Sequence, residues 1–553
     1  MTKKLFSKAL MKEHLRRGLY QIILAFFLYF AFNILPFFLV QDNFFRNDLL
    51  EFTKTFANPI TVCLSLVIPL VVAATSQSFL HQEVKALSIC AQPFSRRKIY
   101  ASHILSGWII STLPVVATFF LFILVPDVTL AIALSWVIRG LILTTFFYGL
   151  FLLSGSLVGT TVKQILLDGV FLVIVPAIYA LFVSYCNMFL KGFPSFPEKL
   201  TDIIMHTNPI GGLLYEGCIT KGWLVIYMLA GILFALLGCF LYEHARLEKI
   251  GDSILFRYFE DCLTWAVSFV GMCIIGIIFH EFVPTVISTI LGMLIGLTVS
   301  FFVMKLIIEK TPHIFHRKNA LSAAGFFVVF ILFSALTVFD ATGYGKRLPD
   351  IDKVEYVEIY QGAFLYDIYY GQKNALTLSD SENISEVIRL HQIFTSEETY
   401  FPAYTTMVTY HFKNGSCMER MITYNEEEAA LFGSNLDANK ELKNYRDIEA
   451  QLGRSNVYSM EITSDRERMD ISAVAIADQK LVSSVLSTLS KEKVSDTSVS
   501  GHEYGQMQTG FGVSFYDKKG NLLASVDVNK QDEQTLKLLV EILEEDGYVP
   551  VTE

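Results

Sequence analysis

Charge is scarce in this chain. Of its 553 residues only 18% are Asp, Glu, Lys or Arg, whereas 53% are hydrophobic and 46 are Phe. An ordinary soluble globule carries roughly 25% charged residues, so that class is excluded. Cysteine forms no usable pattern either. The eight cysteines include no CxxC pair and no His/Cys cluster at metal-ligand spacing. Seven of them (Cys63, Cys90, Cys186, Cys218, Cys239, Cys262 and Cys273) precede Asp340, and only Cys417 follows it, so no internal disulfide braces the C-terminal part. The phosphate-cradling pattern GxxxxGK[ST] is missing, because Gly343-Tyr344-Gly345-Lys346 lacks the first glycine at the required spacing. A signal peptide's short apolar core and small-residue cleavage site are missing too, so the first apolar run reads as a retained span. No HExxH, paired acids or nucleophile motif lies in the apolar runs. Asp465, Glu467 and Asp470, interleaved with Arg466 and Arg468, lack the glycine and ligand spacing of a calcium loop and read as a solvated segment.

The charge that is present is unevenly placed. From Ala341 onward there are 20 basic and 35 acidic residues, a net of −15; the part before it has 24 and 18, a net of +6. A basic, apolar membrane part is followed by an acidic soluble part, and the acidic balance argues against nucleic-acid binding. Crossing the hydrocarbon core takes ~20 apolar residues. Such runs lie at 18–40, 58–80, 104–126, 137–160, 164–189, 222–243, 262–281, 284–306 and 320–339. Residues 1–17 are basic, with Leu5, Phe6, Ala9 and Leu10 able to share a face, and read as a helix on the cytoplasmic leaflet near anionic headgroups. Lys/Arg asymmetry places that segment, Arg96-Arg97-Lys98, the Lys163 turn, the loop around Arg246 and Lys249, and His316–Lys318 in the cytoplasm. An odd number of spans then puts everything after Asp340 outside. Arg139 and Asp168 are the notable ionisable residues near or within spans; each is either a pathway group or a helix-end group within snorkelling reach.

Between the second and third runs lies QSFLHQEVKALSICAQPFSRRKIYASH, from Gln77 to His103. Leu80, Val84, Leu87 and Ile89–Cys90 have the apolar spacing of a surface helix; Pro93 ends it, and Ser95 can cap the next helix. The order glutamate, short helix, Pro-x-Ser-Arg and then a span resembles the intracellular coupling helix of ABC-2 type transporter permeases. Without that resemblance the stretch is a basic loop that fixes topology. The first six spans, the long segment Lys191–Lys221 before the sixth, and the tail YEHARLEKIGDSILF are similar to one such permease domain. Within 191–221, Pro209, Gly211 and Gly212 would break any full crossing, leaving a re-entrant or interfacial piece. Leu153-Ser154-Gly155-Ser156 superficially matches the signature of the family's ATPases, but it sits inside an apolar span and reads as small residues for helix packing.

The resemblance implies a polytopic α-helical membrane protein: a cytoplasmic interfacial helix (1–17), an ABC-2 permease domain with a six-helix bundle (18–250) and three additional spans (251–340). An extracytoplasmic α+β domain (341–553) follows. It implies a permease subunit of an exporter in the bacterial plasma membrane, with Glu83, Leu87, Pro93, Ser95, Arg96 and Arg97 coupling to a separate ATP-binding subunit. ATP and magnesium belong to that partner, no cofactor or metal is expected in this chain, and the permease pairs as a homodimer or heterodimer. A membrane sensor or scaffold whose outer domain binds an envelope component is the alternative; an intramembrane enzyme is the weakest reading. In the outer domain, strands at Val354–Tyr360 and Tyr458–Thr463 and helices at Ile384–Phe394, Gln479–Leu489 and Asp532–Leu543 are predicted. Hairpins turn at Asn414-Gly415 and Lys519-Gly520, and an acidic helix starts at Glu426–Glu428. A β-α-β-β-α unit thus occurs in 341–450 and again in 451–553, an internal duplication.

Overall fold

The computed structural model describes residues 6–40, 43–194, 198–216, 219–244, 257–309, 317–360, 368–369, 375–396, 404–425, 428, 440–453, 456–464, 474–495, 511–518, 520–528 and 532–545. The tail after the sixth span, Glu426 and Glu427, and the Asp465–Asp470 cluster lie outside the described residues. The chain divides into two compact units, one of residues 1–183 and 198–334 and one of 184–197 and 335–553. The second unit therefore starts a few residues before the expected boundary and takes in the last six residues of the fifth span with the segment after it.

Among the described residues nine helices are long and apolar enough to cross a bilayer, one for each predicted run. This is a polytopic helical membrane protein. In chain order the first unit holds α1 (Lys8–Arg17), α2 (Leu19–Leu39), α3 (Asn43–Thr55), α4 (Pro59–Ser76), α5 (Glu83–Cys90), α6 (Arg96–Phe122), α7 (Leu130–Leu157) and α8 (Thr161–Phe189). There follow α9 (Glu198–Met205), α10 (Pro209–Glu216), α11 (Lys221–His244), α12 (Arg257–Phe282), α13 (Val286–Glu309) and α14 (Arg317–Leu336).

One local prediction needs correction and two gain detail. Residues 41–57, read as a loop, contain α3, and the break before α4 falls at Phe56, whose φ of 62° is unusual for a bulky side chain. Burial explains the exception: the Phe56 ring lies 5.5 Å from Trp136, which also meets Tyr29 and Phe122 edge-on. The segment before the sixth span makes two eight-residue helices and no full crossing, in line with the expectation; Pro209 begins the second, since the first turn has no use for its missing N–H. Asn208 Oδ1 accepts from the amides of Ile210 and Gly211, and its Nδ2 donates to the Leu172 carbonyl, fixing the α9–α10 hairpin to α8. Finally, α1 is docked on α6 through Ser7 N to Ser102 Oγ (2.9 Å) and His14 Nδ1 to Ser106 Oγ (2.7 Å).

Close helix crossings depend on glycine, as expected where lipid gives little drive for association. A Cβ on Gly149 of α7 would lie 2.0 Å from the Gly231 carbonyl of α11. In the three later helices, a Cβ on Gly296 of α13 would lie 2.8 Å from the Gly271 carbonyl of α12.

The second unit contains β1 (Val354–Tyr360), β2 (Ile368–Tyr369), β3 (Ala375–Leu378), α15 (Ser381–Ser396), β4 (Tyr404–Phe412), β5 (Cys417–Tyr424), α16 (Lys440–Arg446) and α17 (Ile448–Leu452). After these come β6 (Ser459–Ser464), β7 (Val474–Ile476), α18 (Gln479–Ser495), β8 (Phe511–Tyr516), β9 (Leu522–Val528) and α19 (Glu533–Glu545). Two antiparallel sheets form, ordered β3-β1-β4-β5 and β2-β9-β8-β6-β7. Apart from β2 their orders match, second strand beside first, then third, then fourth. Each repeat therefore has a short strand, β3 or β7, that the predicted β-α-β-β-α unit omits; four and three residues are too few to show alternation. Both hairpins turn at a glycine with φ 80°, Gly415 and Gly520, a region that other residues occupy only with strain.

His391 of α15 is buried against this core, 3.2 Å from the Tyr410 hydroxyl. Burial, with Arg420 as the lesser cause, lowers its imidazole from 6.5 to about 4. The unfolded chain therefore takes up the proton first as pH falls. The stability that neutral His391 contributes is intact above about pH 6.5 and is lost progressively toward pH 4. Between pH 7.5 and 5 it accounts for about 2 kcal/mol of lost stability. Urea midpoints of this unit, followed by limited proteolysis of the full chain, should fall less steeply as pH is lowered in His391→Phe. An unchanged slope would contradict the assignment.

Candidate functional site

The stretch from Gln77 to His103 is built as a short helix held at both ends. α4 ends at Ser76, α5 occupies Glu83–Cys90, and α6 starts at Arg96 with Ser95 Oγ accepting from the Lys98 amide (3.4 Å). α5 stops before Pro93, two residues earlier than proline requires. The single apolar stripe expected for α5 is instead divided. Ile89 and Leu80 turn inward onto Phe79, Ile99, Tyr100 and Tyr242, and Ala86 is buried. Val84 and Leu87 face outward, 80% and 59% exposed, on the same side of the helix by their three-residue spacing. Pro93 is also exposed. The backbone of Glu83 opens α5; its side chain lies outside the described residues.

The entry to α5 is anchored by hydrogen bonds to the α7–α8 turn. Gln77 Nε2 donates to the Leu152 carbonyl (2.8 Å) and also contacts the Tyr100 and Ser156 hydroxyls, while its Oε1 accepts from Gln164 Nε2 (3.0 Å). The Tyr100 and Ser156 hydroxyls are themselves 2.7 Å apart. His81 Nε2 lies 2.9 Å from the Gly155 carbonyl, and Nδ1 lies 3.0 Å from Thr161 Oγ1. A carbonyl only accepts, so Nε2 carries the proton. Burial lowers the basicity of this imidazole, leaving Nδ1 to accept from Thr161. Gly155 is required here, because a Cβ would fall 2.0 Å from Gln77 Oε1. The Leu153–Ser156 run thus serves packing, as expected, and its two serines also carry hydrogen bonds.

The exit from α5 is tied to α11. Arg97 pairs with the Glu243 carboxylate, and Arg96 Nη1 reaches the Glu243 carbonyl (3.4 Å). The two arginines read as register-fixing charges are therefore also a clamp between α6 and the last turn of α11.

The intramembrane candidates separate. Arg139 donates to the Ile219 carbonyl (2.7 Å) just ahead of α11, and to Ser135 Oγ (3.3 Å), which in turn donates to the Lys54 carbonyl (2.9 Å). It joins α7 to helix ends. Asp168 is 1% exposed and accepts from Ser154 of α7. The two are not brought together by any contact among the described residues.

A third charged group escaped the sequence reading. Lys305 of α13, 2% exposed, lies 2.9 Å from Glu260 and 3.1 Å from Asp261 of α12, and Ser322 of α14 donates to Asp261 (3.1 Å). It joins the three later helices. A lone lysine inside VMKLII was the available signal.

Among the described residues no group of three His, Cys, Asp or Glu could hold a metal. No protein-family model, curated protein or solved structure matches this chain.

Gln77 and His81 lead α5 and Arg96 and Arg97 follow it, so both flanks of the helix are bonded to neighbouring helices. Gln77→Ala removes the central amide and should cost about 1–3 kcal/mol of stability, leaving buried partners incompletely bonded. Thermal unfolding of the purified chain in detergent checks this; an unchanged midpoint would count against the network.

Proposed function

We propose that this protein is the membrane-spanning permease subunit of an ABC-2 type exporter, driven by ATP hydrolysis on a separate subunit and working as a pair of permeases. One observation carries the reading: a short helix between two spans exposes Val84 and Leu87 while its two flanks are bonded to the helices around it. An exposed apolar pair suits a cleft on a soluble partner. The missing phosphate-binding loop is consistent with nucleotide being held elsewhere. Closure of the ATPases would press on α5, and its bonded flanks would carry that motion into the bundle. The proposed location is a bacterial plasma membrane, with the N-terminus in the cytoplasm and the second unit outside, where it would face substrate or envelope components.

Val84→Asp with Leu87→Asp should leave the protein inserted and lower its affinity for the ATPase roughly tenfold or more, by placing charge in a desolvated contact. Glu83→Ala and Arg96→Glu test the register-fixing charges in the same co-purification and transport-stimulated ATP hydrolysis measurements. Unchanged complex formation and turnover in all of these variants would overturn the coupling role and favour the sensor or scaffold reading.

The side of the second unit is tested with a variant whose only cysteine replaces Ser483, an exposed residue of α18. A thiol reagent that does not cross membranes should label it in intact cells. Labelling only after lysis would put the domain beside the ATPase instead.

A further inference from the structure

Among the described residues, two buried oxygens on α8 have no donor. Gln164 is fully buried, and its Nε2 donates both to Gln77 Oε1 (3.0 Å) and to the Phe151 carbonyl (3.0 Å). Both partners are acceptors, and Gln77 is itself oriented by the groups its Nε2 meets, so the Gln164 amide has one orientation. Its Oε1 therefore faces away from them, and no described residue donates to it. One turn later, Asp168 Oδ1 takes the Ser154 hydroxyl, while Oδ2 is equally buried and equally without a partner. Among the described residues no cation pairs with Asp168. The i, i+4 spacing sets both oxygens on one face of the helix, the face turned to Ser154 and Gly155 of α7.

Buried acceptors left unbonded are costly, and a carboxylate in a span without a counter-charge more so. A water molecule could donate to both oxygens but would leave the charge uncompensated. A divalent ion calls for more carboxylates than the single one here. We propose that Gln164 Oε1, Asp168 Oδ2 and the remaining lone pairs of Ser154 Oγ bind a monovalent alkali-metal cation between α7 and α8. One carboxylate matches one unit of charge, and carboxyl, amide and hydroxyl oxygens are the ligands such hard ions take. The ion would fasten α7 to α8 beside the hydrogen bonds that hold the entry to α5, so its occupancy would set how firmly that anchor is closed. The inference does not depend on an ATPase partner.

The test uses the purified full chain in neutral detergent at constant ionic strength, with choline chloride replaced by lithium, sodium or potassium chloride. The unfolding midpoint should rise saturably with at least one alkali ion. Asp168→Asn should abolish that rise, and Asp350→Asn, on an exposed carboxylate of the other unit, should retain it. A midpoint indifferent to all the ions, or a dependence that survives in Asp168→Asn, would overturn the proposal. If Asp168→Asn does not fold, equilibrium dialysis of the wild-type chain against radiolabelled sodium and rubidium decides. Saturable binding of either supports the site, and no binding of either overturns it.

Discussion

The carboxamide of Gln77 is the contact on which the membrane unit's candidate site depends. It directly follows α4 and meets groups of α6, α7 and α8 at once. In water such an amide would exchange partners cheaply. In a packed bundle each partner left unbonded has no solvent to turn to, so the arrangement is kept as a whole or lost as a whole. Its neighbours follow from this: Gly155 has no side chain because the amide occupies that space, and Ser156 is small enough to bring a hydroxyl to it. α5 inherits a fixed entry from Gln77 and His81 and a fixed exit from Arg96 and Arg97, while its middle faces outward.

This arrangement explains how an eight-residue helix can have a defined position. A helix that short is marginal alone, and among its described side chains only Ala86 and Ile89 face inward. Its position is set by the flanks, and Val84 and Leu87 face outward from it. The later helices are organised separately. Gly271 and Gly296 bring α12 and α13 together, and Lys305 with Glu260 and Asp261 pins their register.

The sequence made some of this legible and hid the rest for physical reasons. The nine apolar helices could be found because crossing hydrocarbon imposes a length that composition reveals directly. The hairpins at Gly415 and Gly520 were legible because their backbone conformation selects for glycine. The cap at Ser95 was legible because it is local. The Gln77 cluster was not, because Gln77, His81, Tyr100, Ser156 and Gln164 are ordinary residues that acquire meaning only from contacts up to 87 positions apart. The orientation of α5 was half legible: spacing identified its apolar residues, but whether each turns inward depends on Phe79 and Tyr242, which pattern alone does not place. α3 was missed because Asn43–Thr55 mixes charge with apolar residues and resembles a loop between spans.

The central claim is that the outward face of α5 is covered by an ATP-hydrolysing subunit. A photoreactive side chain in place of Leu87, in the otherwise native complex reconstituted in vesicles, tests it most directly. The account predicts a covalent adduct whose mass and peptides identify an ATP-binding-cassette protein, with a yield that changes when nucleotide is added. Adducts to lipid alone, from a preparation that still hydrolyses ATP in response to substrate, would contradict it.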